Sequence, residues 1–265
     1  MILGIGNLIG GYQGLIIALI FVLIMNSVSY FWGDRIVLAL YRAKPAGKSE
    51  YLWLHKTIEY LSKKAGIPKP KVYIIPMRMS NAFATGRNPK HAVVAVTEGI
   101  LHNLGKKELE GVLSHELAHI KNRDILIMTV TATLAGVISY LANMAQWAAI
   151  FGGFGRDERG NNIISLIIVA ILAPIAALLI QLAISRTREY AADEAGAKII
   201  GDGMPLANAL TQLESEARQK PLRLNGYENT SHLFIVNPFK GGIASLFSTH
   251  PPVEMRVERL KKLKF

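Results

Sequence analysis

Three long stretches of this sequence hold no charged side chain: residues 1–33, 125–155 and 160–185. Within the first, residues 15–32 form an apolar run of 18, close to the ~20 residues a helix needs to cross a bilayer core. Buried core helices are the alternative, but a chain of 265 residues lacks the shell to cover three of them. The N-terminal block has no positively charged leading region, so it does not read as a secretory signal. The expectation is a transmembrane helix over residues 1–33 and a transmembrane helical hairpin over 125–184. The latter contains Gly136 and Pro174, residue types that membrane helices tolerate better than soluble ones do.

The remaining charges give an orientation. Residues 33–124 carry 16 Lys and Arg against 8 Asp and Glu, and residues 185–265 carry 12 against 9. The connector 152–162 balances two of each, so the net +11 lies in the two flanking regions. Lys and Arg accumulate on the cytoplasmic side, which places both basic regions there, the connector outside, and the uncharged N-terminus outside too. The basic balance then reads as membrane topology and attraction to a lipid bilayer, with no nucleic acid required. The expected location is the cytoplasmic membrane, crossed more than once. There is no cysteine, so a metal site in this chain must be built from His, Asp and Glu, ligands that suit zinc.

Such a site is legible at His115-Glu116-Leu117-Ala118-His119. On a helix, residues i and i+4 share one face, so both imidazoles can point at one ion. Glu116 lies about 100° round the helix from His115, where it can reach a metal-held water without ligating the metal. It is the candidate general base. A zinc peptidase needs a third protein ligand. Glu189 and Asp193 stand at i and i+4 where the third apolar block ends. Glu189 is the candidate ligand, with Glu194 a neighbour of the same type, and Asp193 is the candidate acceptor for the outer nitrogen of a liganding histidine.

Around these residues the periodicity predicts helices over 50–65, ending at Gly66, over 97–104, and over 204–218. The zinc helix should open at Lys106 or Lys107, run at least to Ile120, and pass through 121–124 into the second membrane segment. Strands are expected over 71–75 and 91–97. Between them, Asn81-Ala82-Phe83-Ala84 could offer an edge strand to a peptide backbone, or be ordinary sheet. Residues 219–242 have no period and read as a loop over the cleft. His55 reads as a surface residue and His232 as structural. Near the C-terminus, Pro251-Pro252 should lead into a helix carrying Arg256. His250 and Arg256 could stabilise an oxyanion, or serve as a cap and a surface ion pair.

Four motifs in order resemble the HtpX-like family of integral-membrane zinc metallopeptidases: Asn81-Ala82-Phe83-Ala84-Thr85-Gly86, His115-Glu116-Leu117-Ala118-His119, Arg188-Glu189-Tyr190-Ala191-Ala192-Asp193, and Thr249-His250-Pro251-Pro252 with Arg256. The resemblance implies a mainly α fold with a small β-sheet: a gluzincin-like domain, residues 34–124 and 185–265, interrupted by the hairpin. It implies one zinc ion per chain on His115, His119 and Glu189, with Glu116 as base and Asp193 behind the ligands. It also implies a substrate cleft lined by Asn81, Ala82, Phe83 and Ala84, and help at the oxyanion from His250 and Arg256. Members degrade damaged or misassembled membrane proteins on the cytoplasmic side and are linked to stress response. They commonly carry two apolar segments before the zinc helix. Here one clear span is preceded by an apolar stub, residues 1–11, which fits a natural start lying upstream. Two other functions are open to such a chain. The small number of spans argues against a prenyl-peptide processing protease, and the intact Glu116 argues against a metal-dependent membrane chaperone that does not cut.

Overall fold

The computed structural model describes residues 2–152, 160–219, 234–236 and 250–265. They divide into two compact units. One holds Met1–Trp32 and Met128–Ile184, the other Gly33–Ile127 and Ser185–Phe265. The described residues are mainly helical, with one four-stranded mixed sheet.

The first unit is drawn from α1 (Ile2–Leu40), α5 (Asp124–Gly152) and α6 (Gly160–Ile200). Helix α1 is interrupted at Gly10 and Gly11, where Gly11 takes φ 54°, ψ −139°, so the apolar stub is a helix separate from the rest of α1. Apolar side chains such as Ile17, Leu134 and Leu172 are exposed. Among the described residues, Ile171–Ile200 is long and apolar enough to cross a membrane, whereas the apolar helix Asp124–Gly136 is shorter.

The second unit is built on the sheet, in the order β1 (Lys44–Pro45), β2 (Lys71–Ile75), β4 (Val93–Thr97), β3 (Ala82–Thr85). Strands β2 and β4 are parallel, and β1 and β3 add antiparallel at the two edges. The sequence of β4, Val-Val-Ala-Val-Thr, is buried throughout, as a central strand covered on both faces requires. Alternation divides it. Val94 and Val96 join Leu54, Ile58, Leu113 and Leu117 in the main core, while Val93 and Ala95 join Leu38, Tyr41, Phe83 and Phe234 in a smaller one. Strand β4 starts two residues later than the sequence suggests. Pro89–His91 forms a 3₁₀ turn, held by Asn88, whose side chain accepts from the His91 N–H at 3.1 Å.

Helix α2 (Leu52–Ala65) ends at Gly66 in the left-handed conformation. His55 on it is half-buried, its Nε2 3.0 Å from the Ala46 carbonyl, so it ties α2 to the β1 region rather than standing on the surface. Helix α3 (Glu98–Asn103) is capped by Thr97, whose Oγ1 accepts from the Ile100 N–H at 3.2 Å. Helix α4 (Lys106–Asn122) supplies Leu109, Val112, Leu113, Leu117 and Ile120 to the core. It packs on α2, β3 and α7 (Met204–Gln219), and α7 packs on α8 (Val253–Lys262). A Cβ at Gly111 would lie 2.5 Å from the Leu206 backbone nitrogen, so only glycine lets α4 and α7 come this close.

Helix α4 does not run straight on into the second apolar block. It stops at Arg123, which takes φ 55°, ψ 39°, and α5 starts at Asp124. A left-handed residue that is not glycine costs roughly 1–2 kcal/mol, so the turn must be held by contacts made elsewhere. His232 lies outside the described residues, as does the expected loop 219–242 apart from Gln219 and residues 234–236.

Candidate metal centre

Helix α4 brings the buried His115 and Glu116 together with the half-buried His119, and α6 brings the buried Glu189 to them. One ligand atom from each of His115, His119 and Glu189 falls within 4.8 Å of the others. The two Nε2 atoms are 3.0 Å apart, and Glu189 lies 3.5 Å from His119 Nε2 and 3.7 Å from His115 Nε2. Each imidazole turns its other nitrogen to a carboxylate: His115 Nδ1 is 3.0 Å from Asp193 Oδ1, and His119 Nδ1 is 2.7 Å from Asp124 Oδ2.

This network assigns the tautomers. A carboxylate only accepts, so each Nδ1 facing one is placed to donate, and the two Nε2 atoms are turned toward each other and toward Glu189. With His119 raised to about 9, the extra proton it holds lets the two Nε2 atoms stand 3.0 Å apart. A cation can take that proton's place, and two imidazoles with one carboxylate form a donor set suited to zinc. Glu194, the other candidate, is exposed and paired with Lys198, which leaves Glu189 as the third donor.

Helix α6 reaches this position because Gly196 lets it. A Cβ there would lie 2.9 Å from the His115 backbone nitrogen and 3.0 Å from its Cα. Two turns earlier Glu189 meets the imidazoles, and one turn earlier Asp193 meets His115. Pro251-Pro252 opens α8 and sends Arg256 inward, where it is fully buried. Its Nε and Nη2 donate to the two Asp193 oxygens at 2.8 and 2.7 Å. The remaining Nη1 lies 3.4 Å from Glu189 Oε2 and donates to the Ile235 carbonyl at 3.4 Å. The guanidinium is thus committed within the protein, to two carboxylates, the Ile235 carbonyl and the His115 ring, whose Nε2 lies 3.4 Å from Nη2. His250 Nδ1 sits 3.0 Å from Glu189 Oε2.

The charges reinforce one another. Burial pushes the Glu116 carboxyl up, against the pull of the two imidazoles. Burial would also raise Glu189 and Asp193, but cationic neighbours outweigh it. His250, Arg256 and His119 hold Glu189 well below the usual range, and Arg256 with His115 brings Asp193 down to about 2. For His119 burial acts downward, yet Asp124, Glu189 and Glu116 together raise it to about 9.

Strand β3 flanks the cluster. The Ala84 N–H donates to Glu116 Oε2 at 2.8 Å. Of the other residues expected to line a cleft, Ala82 and Phe83 are buried in the two cores. Asn81 is buried as well, its Oδ1 accepting from the Ile235 N–H at 3.1 Å. Sequence reasoning missed Asp124 and Gly196. A carboxylate at the head of an apolar block, and a glycine three residues past Asp193 on the same helix, were the available signals.

The sequence matches Peptidase family M48 over residues 48–264. It is 55% identical over 264 residues to a Protease HtpX homolog of Pyrococcus furiosus, covering 99% of this chain and 91% of that one. A Protease HtpX homolog of Aquifex aeolicus is 52% identical over 269 residues, covering 99% and 88%. The crystal structure of S. mikatae Ste24p has a similar fold, with a TM-score of 0.62 at 22% identity. That likeness takes in 91% of this chain and 57% of the Ste24p chain.

Proposed function

The chain belongs to peptidase family M48 and is a membrane-associated metalloprotease, and on that premise we propose that it is a zinc endopeptidase cutting misfolded or damaged membrane proteins on the cytoplasmic side. The observation that carries this reading is the convergence of two imidazole Nε2 atoms and Glu189 on one point, with Glu116 beside it on the flank of an edge strand.

His115, His119 and Glu189 would hold the ion. Zinc, when bound, supplies Lewis acidity toward water and the peptide carbonyl. Glu116 takes the proton from the attacking water and returns it to the leaving amine. Its burial raises its proton affinity toward that task, and the Ala84 N–H fixes one of its oxygens. A substrate backbone lies along the β3 edge. His250 is the group assigned to the oxyanion, and Arg256 acts behind it by holding Asp193 and Glu189 in place. Residues 1–33 serve as anchor and 125–184 as a transmembrane hairpin splitting the catalytic domain, 34–124 and 185–265. The basic excess of the catalytic parts supports the cytoplasmic orientation.

The test is proteolysis of casein by the full chain, purified in detergent with zinc. Glu116→Ala should lower the rate by about 10²- to 10⁴-fold while zinc stays bound at one equivalent. Equal cleavage by both proteins would sink the assignment of Glu116. Metal analysis of the isolated chain checks zinc itself, and a different ion at one equivalent would replace it.

A further inference from the structure

Asp124 is a buried carboxylate that the mechanism above does not use. It stands at the first position of α5, one residue past the left-handed turn at Arg123. Its two oxygens face different elements. Oδ2 accepts from His119 Nδ1 at 2.7 Å, on α4, and Oδ1 accepts from the Arg188 guanidinium, on α6. Arg188 adjoins Glu189 in sequence, and Glu189 Oε1 lies 3.5 Å from His119 Nε2. The contacts close a ring: His119, Asp124, Arg188, Glu189 and back to His119.

Each link removes a freedom that a metal ligand would otherwise have. The Asp124 carboxylate sets both the tautomer and the tilt of the His119 ring, since one oxygen is already fixed by Arg188. Arg188 in turn fixes the backbone turn of α6 from which Glu189 projects. The strained turn at Arg123 has a reason here, because it is what brings Asp124 back beneath His119. The chain between Asp124 and Arg188 includes both later apolar blocks. The pair therefore joins the two ends of that insertion at the point where the ligands must meet.

We propose that Asp124 is a positioning residue that, with Arg188, clasps the two ends of the apolar insertion and aligns His119 and Glu189 as ligands to one ion. This rests on the reading of His119 and Glu189 as ligands.

The experiment is zinc affinity of the full chain in detergent, by competition with a chelator, alongside thermal unfolding of the metal-stripped protein. Asp124→Asn is nearly isosteric and keeps one acceptor. It should weaken zinc about tenfold, and Asp124→Ala up to about 100-fold, with the apo melting temperature of Asp124→Asn unchanged. Arg188→Ala should weaken zinc by less than Asp124→Ala, because the His119 contact remains. If the Asp124 variants bind zinc as tightly as wild type while His119→Ala loses it, the clasp is wrong and the ligand assignment stands. Should His119→Ala also keep full affinity, the ligand assignment fails first. A fall in affinity matched by an equal fall in apo stability of Asp124→Asn would make Asp124 a structural residue only and overturn the proposal.

Discussion

His115 and His119 are each backed by a carboxylate and a guanidinium, but in unlike surroundings. Behind His115, Asp193 and Arg256 meet fork to fork, and Arg256 is fully buried. Behind His119, Asp124 is buried while the Arg188 side chain is 25% exposed. The first pair has lost its water and depends wholly on its own geometry, so removing one partner strands a buried charge. The second can recover water on the arginine side, and breaking it costs far less. One site therefore carries a rigid support and a softer one. The rigid support joins α6 to α8, and the softer one joins the start of α5 to α6.

The contrast can be broken at several points. Arg256→Ala should have the largest effect, about 3–5 kcal/mol of stability lost in denaturant unfolding of the detergent-solubilised protein, since Asp193 and Glu189 are left buried without it. An unfolding midpoint near wild type would show that water enters this pair too. Gly196→Ala comes next. Its new Cβ would lie against the His115 backbone, pushing α6 off α4 at an expected cost of about 1–3 kcal/mol, together with weaker zinc binding. Arg188→Ala should cost about 1 kcal/mol or less, and a loss equal to that of Arg256→Ala would erase the distinction drawn between the pairs. Glu194→Ala is the control, because this residue is exposed and paired with Lys198. It should leave both the unfolding midpoint and zinc occupancy where they are, and a loss of zinc would return it to the list of ligands.

Much of the site could be read in one dimension because its chemistry is tied to helical spacing. His115 and His119 share a face by their separation of four, as do Glu189 and Asp193, and helical continuity alone then sets which groups point together. Strand β2 and the extent of α2, including its end at Gly66, follow equally from local pattern. Three readings went differently, each through a contact distant in sequence. Helix α4 ends at Asn122, where the left-handed Arg123 turns the chain and puts Asp124 beneath His119. Arg256 points into the protein rather than toward a substrate because Asp193 holds its fork. Asn81 supports residues 234–236 rather than an open cleft because the Ile235 N–H has been brought to it.

By itself, then, the sequence determined the residue types available to hold a metal, the helical pairing of His115 with His119 and of Glu189 with Asp193, the apolar blocks and the local helices, all of which follow from residue chemistry and short-range periodicity. Only the tertiary structure brought Glu189 rather than Glu194 to the histidines, set the partner of each imidazole nitrogen, and placed Asp124 and Gly196 against the same cluster. Those choices depend on which helices touch and how closely. That is governed by packing between segments some 70 residues apart, such as His115 and Glu189, for which no local pattern carries a signal.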